Sequence, residues 1–161
     1  MPGITQSWAQ GLTEVATVAK CPLGDIRQEG SKQYRYVKLQ NTTATVAVVA
    51  GDPVAYAVAD TASEDSTVQV VSDFTDAGAV AVFAGVCVGA VAGVLATAYF
   101  IWIQTGGPCT SNPAVVGTVG QGIMIHATVD KTWAVGAAAT NQIVAVVQHA
   151  ASKKIIITSQ F

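Results

Sequence analysis

Apolar and polar residues alternate along this chain in short runs, and turn residues interrupt the runs every few positions. Gly24-Asp25 and Glu29-Gly30-Ser31 mark turns; strands are expected between and after them, with residues 33–39 the first long one. Residues 43–49 follow, and Gly51-Asp52-Pro53 punctuates ahead of 54–58. Residues 60–66 read as a polar loop, 67–71 as a strand and 73–78 as a turn. Residues 80–91 predict one or two strands, with Gly85, Gly89 and Gly93 marking bends, bulges or close backbone approaches. The strongest strand signal is 99–105, which Gly106-Gly107-Pro108 is expected to end. Residues 115–119, 123–129, 132–135, 143–147 and 155–158 complete the set. Residues 1–19 are small and polar around a single Trp8; a weak helix over 7–19 would hold Gly11 inside it. The pattern predicts an all-β chain: a single β-sandwich or barrel-like domain over residues 21–161, with an extended N-terminal arm over residues 1–20.

Composition sharpens this picture. The chain has 161 residues, enough to bury a core without disulfides or metal. Apolar residues make up 51% and charged residues only 11%, which argues against disorder and leaves a surface poor in charge. The net charge of −2 argues against a general nucleic-acid binder. The opening Met1-Pro2-Gly3-Ile4-Thr5-Gln6 lacks the basic-then-apolar pattern of a secretory signal. Cys21, Cys87 and Cys109 form no CxxC pair and are expected as reduced thiols, with a Cys21–Cys109 bridge left open as an alternative.

One stretch offers a rival. No Asp, Glu, Lys or Arg occurs over 77–129, and the 27 residues from 77 to 103 are long and apolar enough to span a bilayer. Period-2 alternation at Val80/Val82 and Val86/Val88, the β-formers around them and the lack of flanking cations favour strands instead. No membrane partner is therefore expected.

The residues offer little catalytic chemistry. No GxSxG elbow is present, and Cys87 lies mid-strand among valines. His126 and His149 lack a local carboxylate or thiolate at metal-ligand spacing. Asp60, Glu64, Asp65, Asp73 and Asp76 cluster in sequence without the spacing of an EF-hand loop and read as a solvated sheet edge. Gly117-Thr118-Val119-Gly120-Gln121-Gly122 lacks a following GK[ST] and reads as a turn. No enzyme, metal or cofactor is expected. The basic residues are more informative: Lys20, Arg27, Lys32, Arg35 and Lys38 against Asp25 and Glu29 give residues 20–38 a net +3, whereas residues 60–76 carry −5. Strand alternation puts Tyr34 and Tyr36 on one face and Arg35 on the other, which weakens a joint nucleic-acid surface and leaves two readings, docking on an acidic protein surface or ordinary solvated surface charges.

Several segments also follow a recognisable order. They are Leu23-Gly24-Asp25, Tyr34-Arg35-Tyr36-Val37-Lys38, Ala50-Gly51-Asp52-Pro53-Val54, Gly85-Val86-Cys87-Val88-Gly89-Ala90, Tyr99-Phe100-Ile101-Trp102-Ile103-Gln104 with Gly106-Gly107, and Ile143-Val144-Ala145-Val146-Val147 with a final Ile155-Ile156-Ile157. This order resembles the capsid decoration, or cement, proteins of tailed bacteriophages over about residues 22–160. The chain departs from that pattern at Phe100, at Ile143-Val144 and at an insertion over 94–98. The resemblance implies a non-enzymatic virion protein on the outer surface of the expanded capsid, bound at capsomer junctions. It implies the major capsid protein and further copies of the same chain, as a homotrimer, as partners. Trp8, Lys20, Arg27, Arg35 and Lys38 are the candidate capsid contacts. A head-fibre or tail module is the alternative within the same class, and a small membrane protein spanning 77–103 the more distant one.

Overall fold

A computed structural model of the chain describes residues 8–57, 68–75, 82–93, 97–126, 129–136 and 143–158. Among them are ten strands and no helix. The strands are β1 (Ile26–Glu29), β2 (Lys32–Leu39), β3 (Pro53–Tyr56), β4 (Gln69–Val71), β5 (Phe83–Cys87), β6 (Tyr99–Thr110), β7 (Gly122–Ile125), β8 (Trp133–Val135), β9 (Ala145–His149) and β10 (Lys154–Ile157). The strands β2, β4, β3, β5 and β6 pair in that order, and β6 pairs back onto β2, closing a five-stranded barrel. Within it β2 and β4 run parallel and the other neighbours antiparallel. The far end of β6 leaves the barrel and pairs with β10, and β9, β7 and β8 extend that second, antiparallel sheet.

Alternation distributes the apolar side chains over three layers. Val37, Leu39, Val54, Val70, Ala84, Cys87, Ile101 and Ile103 fill the barrel. Ala55, Val71, Phe83 and Val86 point outward from β3, β4 and β5 and meet Ile123, Ile125, Trp133, Val147 and Ile155 of the second sheet. A bulge in β5, where Ala55 pairs with Phe83 and Val54 with Gly85, lets this strand serve both layers. Phe83 and Trp133 join the two bodies at a ring separation of 5.8 Å. On a third face, Tyr34, Tyr36 and Trp102 pack under the N-terminal segment.

The turn expected to end the strand at Gly106-Gly107-Pro108 does not end it; β6 runs on to Thr110. Gly107 takes φ +84°, and a Cβ there would lie 2.1 Å from the Ser31 carbonyl oxygen. Glycine thus lets the strand turn from one sheet into the other instead of stopping. The Gln104 amide braces the bend by donating to the carbonyls of Gly106 and Pro108, each at 3.0 Å. Gly85 makes the close approach its spacing suggested: a Cβ there would lie 2.7 Å from the Gln104 carbonyl oxygen.

Two other expected strands are absent. Residues 43–49 contribute only the isolated bridge between Val48 and Val91, because the carbonyls of Val46 and Ala47 accept from the Ser72 hydroxyl and the Lys131 ammonium instead of from a ladder. Residues 115–119 form a loop that turns at Gly117, φ +95°. No helix forms over residues 8–19. The chargeless 77–103 stretch holds β5 and the start of β6, and among the described residues no helix is long and apolar enough to cross a membrane. The start of the expected 80–91 strand and the polar loop over 60–66 lie outside the described residues.

Gly107→Ala should therefore destabilise the fold by at least about 2 kcal/mol, since both the left-handed backbone and the Ser31 contact oppose a side chain. Urea unfolding measures this, and Gly30→Ala, where a Cβ would meet nothing within 4 Å, should lose less.

Candidate interaction surface

Residues 8–20 do not hang free; they lie along the sheet. Ala16 bridges Phe100 through two backbone hydrogen bonds of 3.2 and 2.8 Å. Gln10, fully buried, ties the segment down. Its amide donates to the Glu14 and Phe100 carbonyls at 2.7 and 2.9 Å, and its Oε1 accepts from the Tyr36 hydroxyl at 2.6 Å. The Tyr36 oxygen in turn accepts from the Lys20 N–H at 3.2 Å. Trp8 stands edge-on to Trp102, with centroids 5.1 Å apart at 82°. The expected N-terminal arm is thus paired and packed from Trp8 onward, while residues 1–7 lie outside the described residues. Nothing in the polar sequence around Gln10 signalled its role, because a lone buried amide leaves no periodic trace.

The structure brings some of the candidate contact residues together and separates others. Arg27 lies over the Trp8 ring, 5.9 Å from its centroid, and pairs with Glu29. Trp8 and Arg27, with Ile26, Gln28 and Glu29, line an open cleft of about 520 Å³ along β1. Lys20 sits beside the same aromatic layer but pairs with Glu14, whose carboxyl this hydrogen bond holds below its usual range. Arg35 faces the other way: its register partners are Ile26 and Ile103, and its Nη1 donates to the Tyr56 hydroxyl at 3.2 Å. Lys38 lies further along β2, opposite Phe100. The five residues do not make one face. Glu29, already counted in the net +3 of the basic segment, engages Arg27, and Glu14 from outside the segment offsets Lys20 and lowers the local balance to +2.

The acidic segment is mostly outside the described residues; Asp73, which is described, is buried and accepts from the N–H and hydroxyl of Thr75 at 3.0 and 2.5 Å. It is a turn-former, not the solvated edge expected of it. His126 and His149 each accept a backbone N–H through Nδ1, from Val129 and Ser152 respectively. All three cysteines are free thiols, so the alternative bridge does not form. Burial pushes the Cys87 thiol far up, as expected of an inert core residue. Among the described residues no three His, Cys, Asp or Glu side chains gather to hold a metal. What the β1 cleft offers is binding: an indole, a guanidinium and a strand edge. Comparison with protein-family models, with curated proteins and with solved structures finds no match to this chain.

Two tests follow from this geometry. Gln10→Ala should cost about 2–3 kcal/mol in urea unfolding and speed hydrogen exchange at the Ala16 amide, because it strands the Tyr36 hydroxyl and two carbonyls. Alkaline pH should also weaken the fold. Burial raises the phenols of Tyr34 and Tyr36 and pushes the Cys109 thiol up to about 11. In the unfolded chain these groups ionise near their ordinary values while the folded chain still holds the protons. Their contribution is therefore complete below about pH 9 and is lost as pH rises through the elevated folded values. Unfolding at pH 8, 9.5 and 11 should show a steady fall, less steep in Cys109→Ala.

Proposed function

We propose that this chain is a capsid cement protein of the tailed-bacteriophage kind, a structural component that binds the outer surface of the expanded shell at capsomer junctions and acts without catalysis. The observation that carries the reading is the surface. Large apolar side chains stand exposed on the described body, among them Val18, Leu23, Ile26, Val119, Val135 and Ile143. With so few charges in the chain, such a surface suits burial against neighbours better than free solution. The order of segments from Leu23-Gly24-Asp25 to Ile155-Ile156-Ile157 supports the same reading. The major capsid protein is the principal partner, and Trp8, Lys20, Arg27 and Lys38 are the proposed contacts. Arg35 is the weakest member, since it is engaged with Tyr56.

Linkage supplies the mechanism: a ligand that binds only the expanded lattice stabilises that lattice, and many copies multiply the effect. Co-sedimentation with empty tailed-phage heads in expanded and unexpanded form tests it. Saturable binding to expanded heads alone, with a raised temperature of shell disruption, is expected. Equal binding to both forms, or to neither, would overturn it.

A further inference from the structure

The first strand, β1, is an edge: among the described residues it pairs with β2 on one side only. On its inner side Tyr36 donates to the Asp25 carbonyl at 2.9 Å while Gly24, φ +88°, donates to the Tyr36 carbonyl at 2.8 Å. This bulge fixes the phase of the ladder. Arg27 with Tyr34, and Glu29 with Lys32, are then the hydrogen-bonded pairs, and the two-residue turn Gly30-Ser31 closes the hairpin. The N–H and C=O groups of Ile26 and Gln28 consequently point away from β2. Among the described residues no strand pairs with them. The cleft walled by Trp8 runs along this same stretch, residues 26–29.

We propose that a second copy of this chain occupies that edge, β1 against β1, antiparallel about a two-fold axis at Gln28. Strand periodicity restricts the choices. Residues facing each other across an antiparallel pair share a sheet face, and only the outward-pointing Ile26 and Gln28 can form the hydrogen-bonded rungs. In the register centred on Gln28, Gln28 meets Gln28 of the other copy, and Arg27 meets Glu29 twice. Sliding by the next permitted step sets Arg27 against Arg27 in one direction and Glu29 against Glu29 in the other. Like charges directly opposite oppose pairing, and opposite charges favour it. The sign alternation along Ile26-Arg27-Gln28-Glu29 therefore favours the register about Gln28 over its two neighbours. The indole of Trp8 adds apolar surface on the face of the charged pairs, and Ile26, 52% exposed, adds it on the opposite face.

Trp8 and Arg27 are also proposed shell contacts, so the pairing is tested on the free protein, without capsid shells. Sedimentation velocity of the full chain over a micromolar to millimolar range, at low salt, should show a monomer–dimer equilibrium. Arg27→Glu and Glu29→Arg, each alone, should weaken dimerisation by roughly tenfold or more, because each sets like charges opposite at two sites. The double exchange Arg27→Glu with Glu29→Arg should restore it to within about threefold, which a misfolded variant could not do. Gln28→Cys should give a disulfide-linked dimer under oxidation, since the two positions face each other at about 5.5 Å between Cα atoms, within bridging range. Glu29→Cys and the parent chain should not. A monomer at all concentrations, a trimer indifferent to Arg27→Glu, or a double exchange that behaves as the worse single variant would each overturn the proposal.

Discussion

One strand holds this molecule together by belonging to two sheets. The first part of β6 closes the barrel against β2 and β5, and its last part founds the second sheet through β10. A regular strand cannot do both, because its pleat would carry the same faces straight on. Gly107 makes the change of direction, and the space that a side chain would need there is taken by the Ser31 carbonyl of the hairpin turn. The hairpin that carries the candidate cleft and the bend that joins the sheets are thus in van der Waals contact. Disturbing the bend moves the cleft as well.

The three apolar layers depend on that arrangement. The fully buried side chains of the barrel interior are aliphatic apart from the thiol of Cys87, and Tyr56, packed against them, has its hydroxyl met by Arg35. The layer between barrel and second sheet is held at its rim by polar groups. Asp52, nearly fully buried, accepts from the Val49 N–H at 3.0 Å and the Asn112 amide at 2.7 Å, with the Lys131 ammonium 3.9 Å away. Gly51 and Asn112 add a backbone hydrogen bond of 2.9 Å at the same place. A buried carboxylate is tolerable only when donors surround it, so this cluster orders the loop after β6 as much as it bonds to it. The aromatic layer is different in kind. Its cover is the segment 8–20, and Gln10 supplies the polar links that an aromatic surface cannot make for itself.

What was legible in the sequence was periodicity. Alternation in 33–39 placed Tyr34 and Tyr36 opposite Arg35, and the structure keeps them so. The strands near 54, 69, 83, 99, 123, 133, 145 and 155 also declared themselves by β-branched and aromatic runs. Failures came where long-range partners decide. The valines of 43–49 satisfy strand propensity, but Ser72 and Lys131 take the carbonyls of Val46 and Ala47. The glycines of 106–107 look like a stop until a second sheet is waiting beyond them. Of the candidate contacts, the nearness of Trp8 to Arg27 required the fold of the N-terminal segment, which has no period to read.

Charge shows the same limit from another side. Counted along the chain, residues 20–38 look like a basic patch. Folded, Lys20 meets Glu14 and Arg27 meets Glu29, and exposed pairs of this kind are screened and weak as attractors. Their value is geometric. Charges on an edge strand normally discourage a second strand from pairing there. That protection fails when the incoming strand carries the opposite sign at each facing position. A chain meeting a copy of itself about Gln28 satisfies that condition, whereas an arbitrary strand meets at least one like charge or leaves a charge unmatched. The same two side chains can therefore exclude most partners and admit one, so that a weakly charged protein with exposed apolar side chains gains selectivity from the order of two charges instead of their sum.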